Sequence, residues 1–185
     1  PPRTAAVELE NLQRIVHRWL VHARDIPAAQ PGRAAVRVAA GRAAQELLRT
    51  EPDPLVWSHG DLHDKQIFTA DPGAPLGLLD FDEACRAEAA ADLANLAVHL
   101  QLRLHQHRLT AERYQTARRH VLATAEELQV TPVRFDAYAA VTRLRLGCLY
   151  SFRPQWADLA ENFLIPDAEQ ALAAGVPAAK VEPTY

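Results

Sequence analysis

The sequence predicts an α-dominated α+β domain, with one small β-hairpin set among helices. Three observations predict it. Apolar residues recur at helical spacing over most of the 185 residues. The stretch that breaks this pattern, residues 55–82, alternates short apolar runs with turn residues. The composition is 49% apolar and 23% charged, and a chain of this length buries about 70% of its unfolded surface.

Each element has its own signal. Val7, Leu9, Leu12, Ile15, Val16, Trp19 and Leu20 form one apolar stripe, which predicts a helix from Thr4 to Ala23. Pro27 and Pro31 break the chain, and a second helix is expected over Arg33–Leu48, stopped by Glu51-Pro52-Asp53-Pro54. Leu55-Val56-Trp57 reads as a short strand. Residues 66–69 and 76–81 read as a hairpin around the turn Asp71-Pro72-Gly73-Ala74-Pro75. Beyond it the helical period returns. One helix opens at Asp92 and another follows Thr110. A third begins at Thr131-Pro132, an N-cap and first-turn pair, and a last one runs over Gln155–Ala174 with a break near Pro166.

Composition narrows the function classes. The net charge of −3 gives no reason to expect nucleic acid or an anionic membrane as partner. No apolar run approaches the ~18–20 residues of a spanning helix. Cys85 and Cys148 make neither a disulfide framework nor a metal knuckle, so a reducing cytoplasm is the default. The 35 alanines and 18 arginines reflect a coding bias, whereas the two lysines, Lys65 and Lys180, carry an argument below. With no methionine and a Pro1-Pro2 start, the chain is expected to be a piece of a longer protein.

The chemistry concentrates in His59-Gly60-Asp61-Leu62-His63-Asp64-Lys65-Gln66. Two carboxylates, two imidazoles, a cation and a carboxamide share one short loop. Asp80 follows Asp61 by nineteen residues at the end of an apolar run, with Asp82 two positions on. A hairpin of that length returns Asp80 beside its first strand, so Asp61, Gln66 and Asp80 are expected to converge. Oxygen ligands gathered this way suit Mg²⁺, which prefers a few carboxylates plus substrate phosphates.

These residues carry a specific resemblance. The protein-kinase catalytic loop reads H-R-D-L-x-x-x-N and is followed by D-F-G. Here the counterparts are His59-Gly60-Asp61-Leu62 with Gln66 in the Asn position, then Asp80-Phe81-Asp82. Gly in place of Arg, His63 two residues after Asp61, and Asp92-Leu93-Ala94 twelve residues past Asp80 resemble the aminoglycoside phosphotransferase and choline kinase family. The matching segment spans about His59–Leu96. The resemblance implies the helical C-lobe of a protein-kinase-like fold, with residues 1–54 as leading helices, 55–92 as catalytic loop and hairpin, and 93–185 as a helical substrate-side subdomain. It implies phosphoryl transfer from ATP, or another nucleoside triphosphate, to a hydroxyl of a small molecule with Mg²⁺. By the same token Asp61 is the catalytic base, His59 braces the loop, and Asp80 and Gln66 hold the metal and nucleotide. Lys65 is a nucleotide-side candidate, and Asp92 ties the loop to its helix. Gln66 is one methylene longer than the family's Asn, as in maltokinase-like sugar kinases, and puts the metal geometry in question.

The nucleotide-clamping half of a kinase is not in this sequence. None of the seven glycines forms G-x-G-x-x-G, and neither lysine sits in a Val-Ala-Ile-Lys-like strand. The expectation is a C-lobe alone, whose partner is a missing N-lobe and which is inactive without it. Two rival readings are a non-catalytic kinase-like binding module and a metal-dependent phosphoesterase using the Gly60–Asp64 run.

Other residues are read more plainly. His63 and Asp64 suit surface turn residues as well as ligands. His99, His105 and His107 are expected to be solvated or capping, and Arg103, Arg108, Arg113, Arg118 and Arg119 to form an exposed basic face. Trp19, Trp57 and Trp156 are expected in the core, and both cysteines as small buried hydrophobes. Asp82, Asp158 and Glu161 are the substrate-side candidates, since the resembling family binds cationic aminosugars through acidic C-lobe residues. For Asp158, Glu161, Asp167 and Glu169 a solvated helix face is the preferred reading.

Overall fold

The computed structural model describes residues 2–23, 30–71 and 73–160. The elements run α1 (Ala5–His22), α2 (Gln30–Arg49), β1 (Leu55–Ser58), a 3₁₀ turn (Asp64–Gln66), β2 (Ile67–Phe68), β3 (Gly77–Leu78), β4 (Cys85–Glu88), α3 (Ala89–His105), α4 (Ala111–Glu127) and α5 (Pro132–Tyr150). A second 3₁₀ turn (Pro154–Trp156) and a short α6 (Ala157–Leu159) follow. The expected Gln155–Ala174 helix lies mostly outside the described residues, as does Glu161. No helix among the described residues is long and apolar enough to cross a membrane.

The helices form because their apolar positions share a face. In α1, Leu9, Leu12, Val16 and Trp19 are buried, at spacings that place them on one stripe. They share one core with Val98 and Leu102 of α3 and with Val141, Leu144 and Cys148 of α5. Trp19 also donates its indole N–H to Ser151 Oγ at 2.5 Å, just past the end of α5. A smaller cluster of Leu93, Val121 and Ala125 docks α4 against α3. Thr110 caps α4 by accepting the Arg113 N–H at 3.3 Å. Thr131 occupies the N-cap of α5 without a side-chain cap bond; its own N–H goes to Asp53 Oδ2 at 2.9 Å.

A buried ionic knot joins four parts of the chain. Arg134 is fully buried and Glu88 nearly so. Arg134 Nε donates to Glu88 Oε2 at 2.7 Å, a second guanidinium nitrogen reaches Glu88 Oε1, and Tyr138 donates to that oxygen at 2.8 Å. The backbone N–H of Asp53 completes the Glu88 shell at 2.8 Å. Arg134 spends its remaining donors on Leu47 O and Thr50 Oγ1, both at 2.8 Å. The end of α2, the entry to β1, the end of β4 and the start of α5 are thereby fixed together. Buried charges of this kind are tolerable only when every partner is supplied.

The sheets differ from expectation in extent. β2 and β3 pair as Ile67↔Leu78 and Phe68↔Gly77, so the expected hairpin is present but only two residues long on each side. β4 has no signal in the sequence, since Cys85-Arg86-Ala87-Glu88 lacks β-branched residues and clear alternation. It pairs antiparallel with β1, from Leu55↔Glu88 to Ser58↔Cys85. That ladder closes the base of the 59–84 excursion and runs directly into α3, which starts at Ala89 rather than Asp92. Trp57 is a correction: it is 82% exposed, with its side chain off the core. Phe68, Leu76, Leu78, Leu79 and Phe81, in and beside the hairpin, are exposed too. Cys148 is buried as expected, whereas Cys85 is only half-buried.

Candidate active site

The 59–66 loop lies along one face of α3, which contacts it in order. Asp92, Asn95, His99 and Arg103 follow at spacings of three, four and four, so all four fall on one side of the helix. Asp92 accepts the backbone N–H of His59 at 2.5 Å and of Gly60 at 3.0 Å. Asn95 Nδ2 donates to Asp61 Oδ1 at 3.2 Å and to Leu62 O at 2.9 Å. The His99 ring stacks on His63 with centroids 4.8 Å apart. Arg103 grips Asp64 from Nε at 2.7 Å and from NH2 at 3.2 Å. A polar ladder on an otherwise apolar helix thus holds five consecutive loop positions and their neighbour.

Gly60 makes the loop shape possible. Its φ is +88°, and a Cβ there would meet the Glu83 carbonyl oxygen at 2.1 Å. Only glycine takes that conformation and that approach together. Arg3 clasps the same residue from outside, donating to Gly60 O at 2.6 Å. His59 spans to the residue just past β3: its Nε2 donates to Leu79 O at 2.7 Å, and its Nδ1 accepts the Asp61 N–H at 3.4 Å. The two bonds require the same neutral tautomer. Phe81 packs on its ring at 4.9 Å.

At the other end of the loop, Gln66 and Asp80 meet across the base of the hairpin. Leu79 N–H donates to Gln66 O at 2.9 Å, and Gln66 Nε2 donates to Asp80 Oδ2 at 3.0 Å. Asp80 is exposed and left-handed, with φ at 62°, a conformation Asp adopts more readily than most residues. The donor set, one carboxylate and one carboxamide side by side at an exposed turn, suits a hard divalent cation. Asp61 makes its contacts with α3 and α5, and no contact among the described residues joins it to Gln66 or Asp80. Besides Asn95, its Oδ1 lies 3.8 Å from Arg145 NH2 of α5, and its Oδ2 lies 3.7 Å from His63 Nε2. Lys65 and Asp82 are exposed. Asp158 is exposed on α6, and no contact among the described residues ties it to the loop.

Two expectations need correction here. His99 is not solvated: it is 7% exposed, and burial, followed by repulsion from His63 and Arg145, pushes its pKa down to about 3. Asp64 opposes this shift without reversing it. Arg103 is not part of an exposed basic face either; it is buried against Asp64 and Gln106 Oε1, the latter at 2.7 Å. Burial alone would lower its pKa, but the bond to Asp64 outweighs it and the net shift is upward. His63, Asp64 and His99 offer ligand atoms within 4.8 Å of one another. The Arg103 guanidinium already supplies Asp64 with the positive charge a cation would bring. Asn95, His99, Arg103 and Arg145 were not read from the sequence as site residues. The first three carry a usable signal, the three-four-four spacing from Asp92; Arg145 carries none, because it comes from α5.

A mostly helical body, with short antiparallel ladders presenting an H-G-D loop and a D-F-D turn, is the C-lobe architecture of a kinase-like fold. Comparison with known proteins agrees. The profile of the phosphotransferase enzyme family (APH) matches residues 2–129, and the chain belongs to that family. Among solved structures, it is similar to glucosamine kinase in complex with glucosamine, ADP and inorganic phosphate. That match has 22% identity and a TM-score of 0.59, over 94% of this chain and 50% of the other. A second crystal form of glucosamine kinase matches at 24% identity and a TM-score of 0.59, over 90% of this chain and 47% of that one. The likeness is one of fold, and the chain spans about half the length of these structures. No curated protein sequence matches it.

Proposed function

We propose that this chain is the catalytic lobe of a phosphotransferase that moves the γ-phosphoryl group of ATP, or of another nucleoside triphosphate, to a hydroxyl of a small molecule. The observation that carries the reading is the meeting of Gln66 and Asp80 at the mouth of the loop that also presents Asp61. Phosphoryl transfer asks little covalent work of a protein and mostly needs positioning and charge neutralisation. Asp61 is the base: its carboxylate takes the acceptor hydroxyl proton while the hydroxyl oxygen bonds to the γ-phosphorus, and the bond from that phosphorus to the β–γ bridging oxygen breaks to release the nucleoside diphosphate. Asp80 and Gln66 would hold Mg²⁺, which when bound neutralises phosphate charge. His59 and Asp92 keep the loop in shape, through the bonds to Leu79 and to the His59 and Gly60 N–H groups. Lys65, exposed beside Gln66, is the candidate on the nucleotide side.

The acceptor belongs to the aminoglycoside, sugar or amino-alcohol class, with Asp82, Asp158 and Glu161 as its candidate contacts. A glucosamine kinase as fold neighbour supports an aminosugar within that class. The clamp over the nucleotide belongs to an N-lobe partner, for which the exposed apolar residues Trp57, Phe68 and Phe81 suit docking contacts. Without it the chain is inactive. Two free cysteines suit a reducing, cytoplasmic setting.

The test is phosphoryl transfer by the protein with its N-lobe, assayed with ATP, Mg²⁺ and a panel of aminosugars, neutral sugars and amino alcohols. Transfer to one class, lost by about 10³-fold or more in Asp61→Asn, is the expected result. Nucleotide binding with no transfer to any acceptor points to a binding module. Ester hydrolysis without nucleotide points to a phosphoesterase.

A further inference from the structure

We infer that Arg145 and Asn95 are positioning residues for Asp61, a relay that fixes which carboxylate oxygen is free to meet the acceptor. The inference rests on the reading of Asp61 as the base.

The orientation of the Asn95 amide is settled by its neighbours. Arg145 NH2 lies 2.7 Å from Asn95 Oδ1, and a guanidinium only donates. The amide oxygen must therefore face Arg145. That leaves Nδ2, with two N–H groups, facing two acceptors: Asp61 Oδ1 at 3.2 Å and Leu62 O at 2.9 Å. Turning the amide over would set an oxygen against two oxygens and N–H groups against a cation. Asn95 is buried, so water does not readily stand in for any of these partners.

The consequence falls on Asp61. Its Oδ1 is engaged by Asn95 and lies 3.8 Å from Arg145. Among the described residues its Oδ2 makes no hydrogen bond, and His63 Nε2 lies 3.7 Å away, beyond hydrogen-bond length. The His63 ring is turned by the Lys65 N–H, which donates to Nδ1 at 3.2 Å and leaves Nε2 as the protonated side toward Asp61. One carboxylate oxygen is thus held and the other is left to receive a proton. A base held in this way reacts from one geometry rather than many, which is where positioning lowers a barrier.

Arg145 adds charge to geometry. Beside the Asp61 carboxylate stand the Arg145 guanidinium from α5 and the His63 ring from the loop, with Glu8 and Arg3 bearing on Arg145 from the α1 side. The next pair, Asp64 with Arg103, is internally balanced. Arg145 thus sets a guanidinium beside the base and, by its bond to Asn95 Oδ1, holds the amide that the base leans on.

The experiment uses the protein with its N-lobe and measures kcat and KM for ATP. Asn95→Ala should lower kcat by about 10- to 100-fold with KM for ATP changed by less than about 3-fold. Arg145→Gln should lower kcat by about 10-fold with KM for ATP likewise unchanged, while Arg145→Lys, which keeps a donor toward Asn95 Oδ1, recovers most of that loss. Thermal melts check that the variants fold. Where Arg145→Gln does not fold, Asn95→Ala decides by itself: a fall in kcat with KM unchanged supports the relay, and wild-type kcat overturns it. Asn95→Ala and Arg145→Gln both within about 2-fold of wild type overturn the inference. Asp61→Asn separates the two levels. If it retains turnover, the base assignment fails; if it is inactive while the Asn95 and Arg145 variants behave as wild type, only the relay fails.

Discussion

Arg103 holds Asp64 in a two-pronged grip, Nε at 2.7 Å and NH2 at 3.2 Å, thirty-nine residues apart in sequence. The pair joins the last turn of α3 to the middle of the catalytic-type loop. Because Arg103 is buried and Asp64 keeps partial solvent access, the pair should contribute less than a fully buried one.

Arg103→Met should therefore destabilise the fold by about 1–3 kcal/mol, as one carboxylate loses its partner at a partly dry site. In a domain of this size that is a melting-temperature drop of several degrees. A double-mutant cycle with Asp64→Asn should show coupling of about 0.5 kcal/mol or more. Additive single effects in thermal melts would remove the pair from any role in holding the loop.

Stability should fall as the solution is acidified, in two windows. Burial tends to raise the Glu88 pKa, but the bonds from Arg134, Tyr138 and the Asp53 N–H win, and it lies below its ordinary 4.5. Its contribution is therefore present above pH 4.5 and lost as pH falls further. His99 has its pKa depressed from 6.5 to about 3, because burial disfavours the imidazolium. The unfolded chain takes up that proton first, so this contribution is full above pH 6.5 and declines between there and pH 3. Urea midpoints measured from pH 7 to 3 should show both declines. His99→Gln should flatten the upper window and Glu88→Gln the lower one.

Gly60→Ala should cost about 2 kcal/mol or more in chemical denaturation. The new methyl meets a backbone oxygen of Glu83 at 2.1 Å and occupies a backbone conformation of φ +88°. Relief requires the 59–61 segment to move off the Asp92 carboxylate. Amide exchange at His59 and Gly60 should accelerate in the variant, and unchanged protection would show that the turn adapts elsewhere.

The metal-side assignment makes a separate claim on the protein with its N-lobe. Asp80→Asn should weaken Mg²⁺-nucleotide binding and turnover together, because it removes a ligand rather than a base. Gln66→Asn retains the carbonyl donor on a shorter arm. It should keep turnover within about 10-fold, or shift the preference between Mg²⁺ and Mn²⁺. Nucleotide affinity and kcat measured with both metals check this. Wild-type behaviour of Asp80→Asn would rule Asp80 out as a ligand.

Elements whose signal is local are legible in the order of residues alone. The α1 stripe through Leu9, Leu12, Val16 and Trp19 is a property of one helix, and it is buried as its spacing dictates. Gly60, Asp61, Gln66 and Asp80 were legible because their order and spacing match a known pattern, and the turn that joins Gln66 to Asp80 is short. The tertiary structure decided everything that needed a distant partner. β4 exists because β1 offers it a ladder, not because Cys85-Arg86-Ala87-Glu88 favours a strand. Trp57 is exposed because the alternation of a two-stranded ladder turns it outward, whatever its hydrophobicity. His99 and Arg103 read as surface residues until α3 is laid beneath the loop, where stacking and an ion pair make their burial favourable. Arg145 reaches Asn95 and Asp61 from fifty and more residues away, a juxtaposition that helix packing creates and no local pattern encodes.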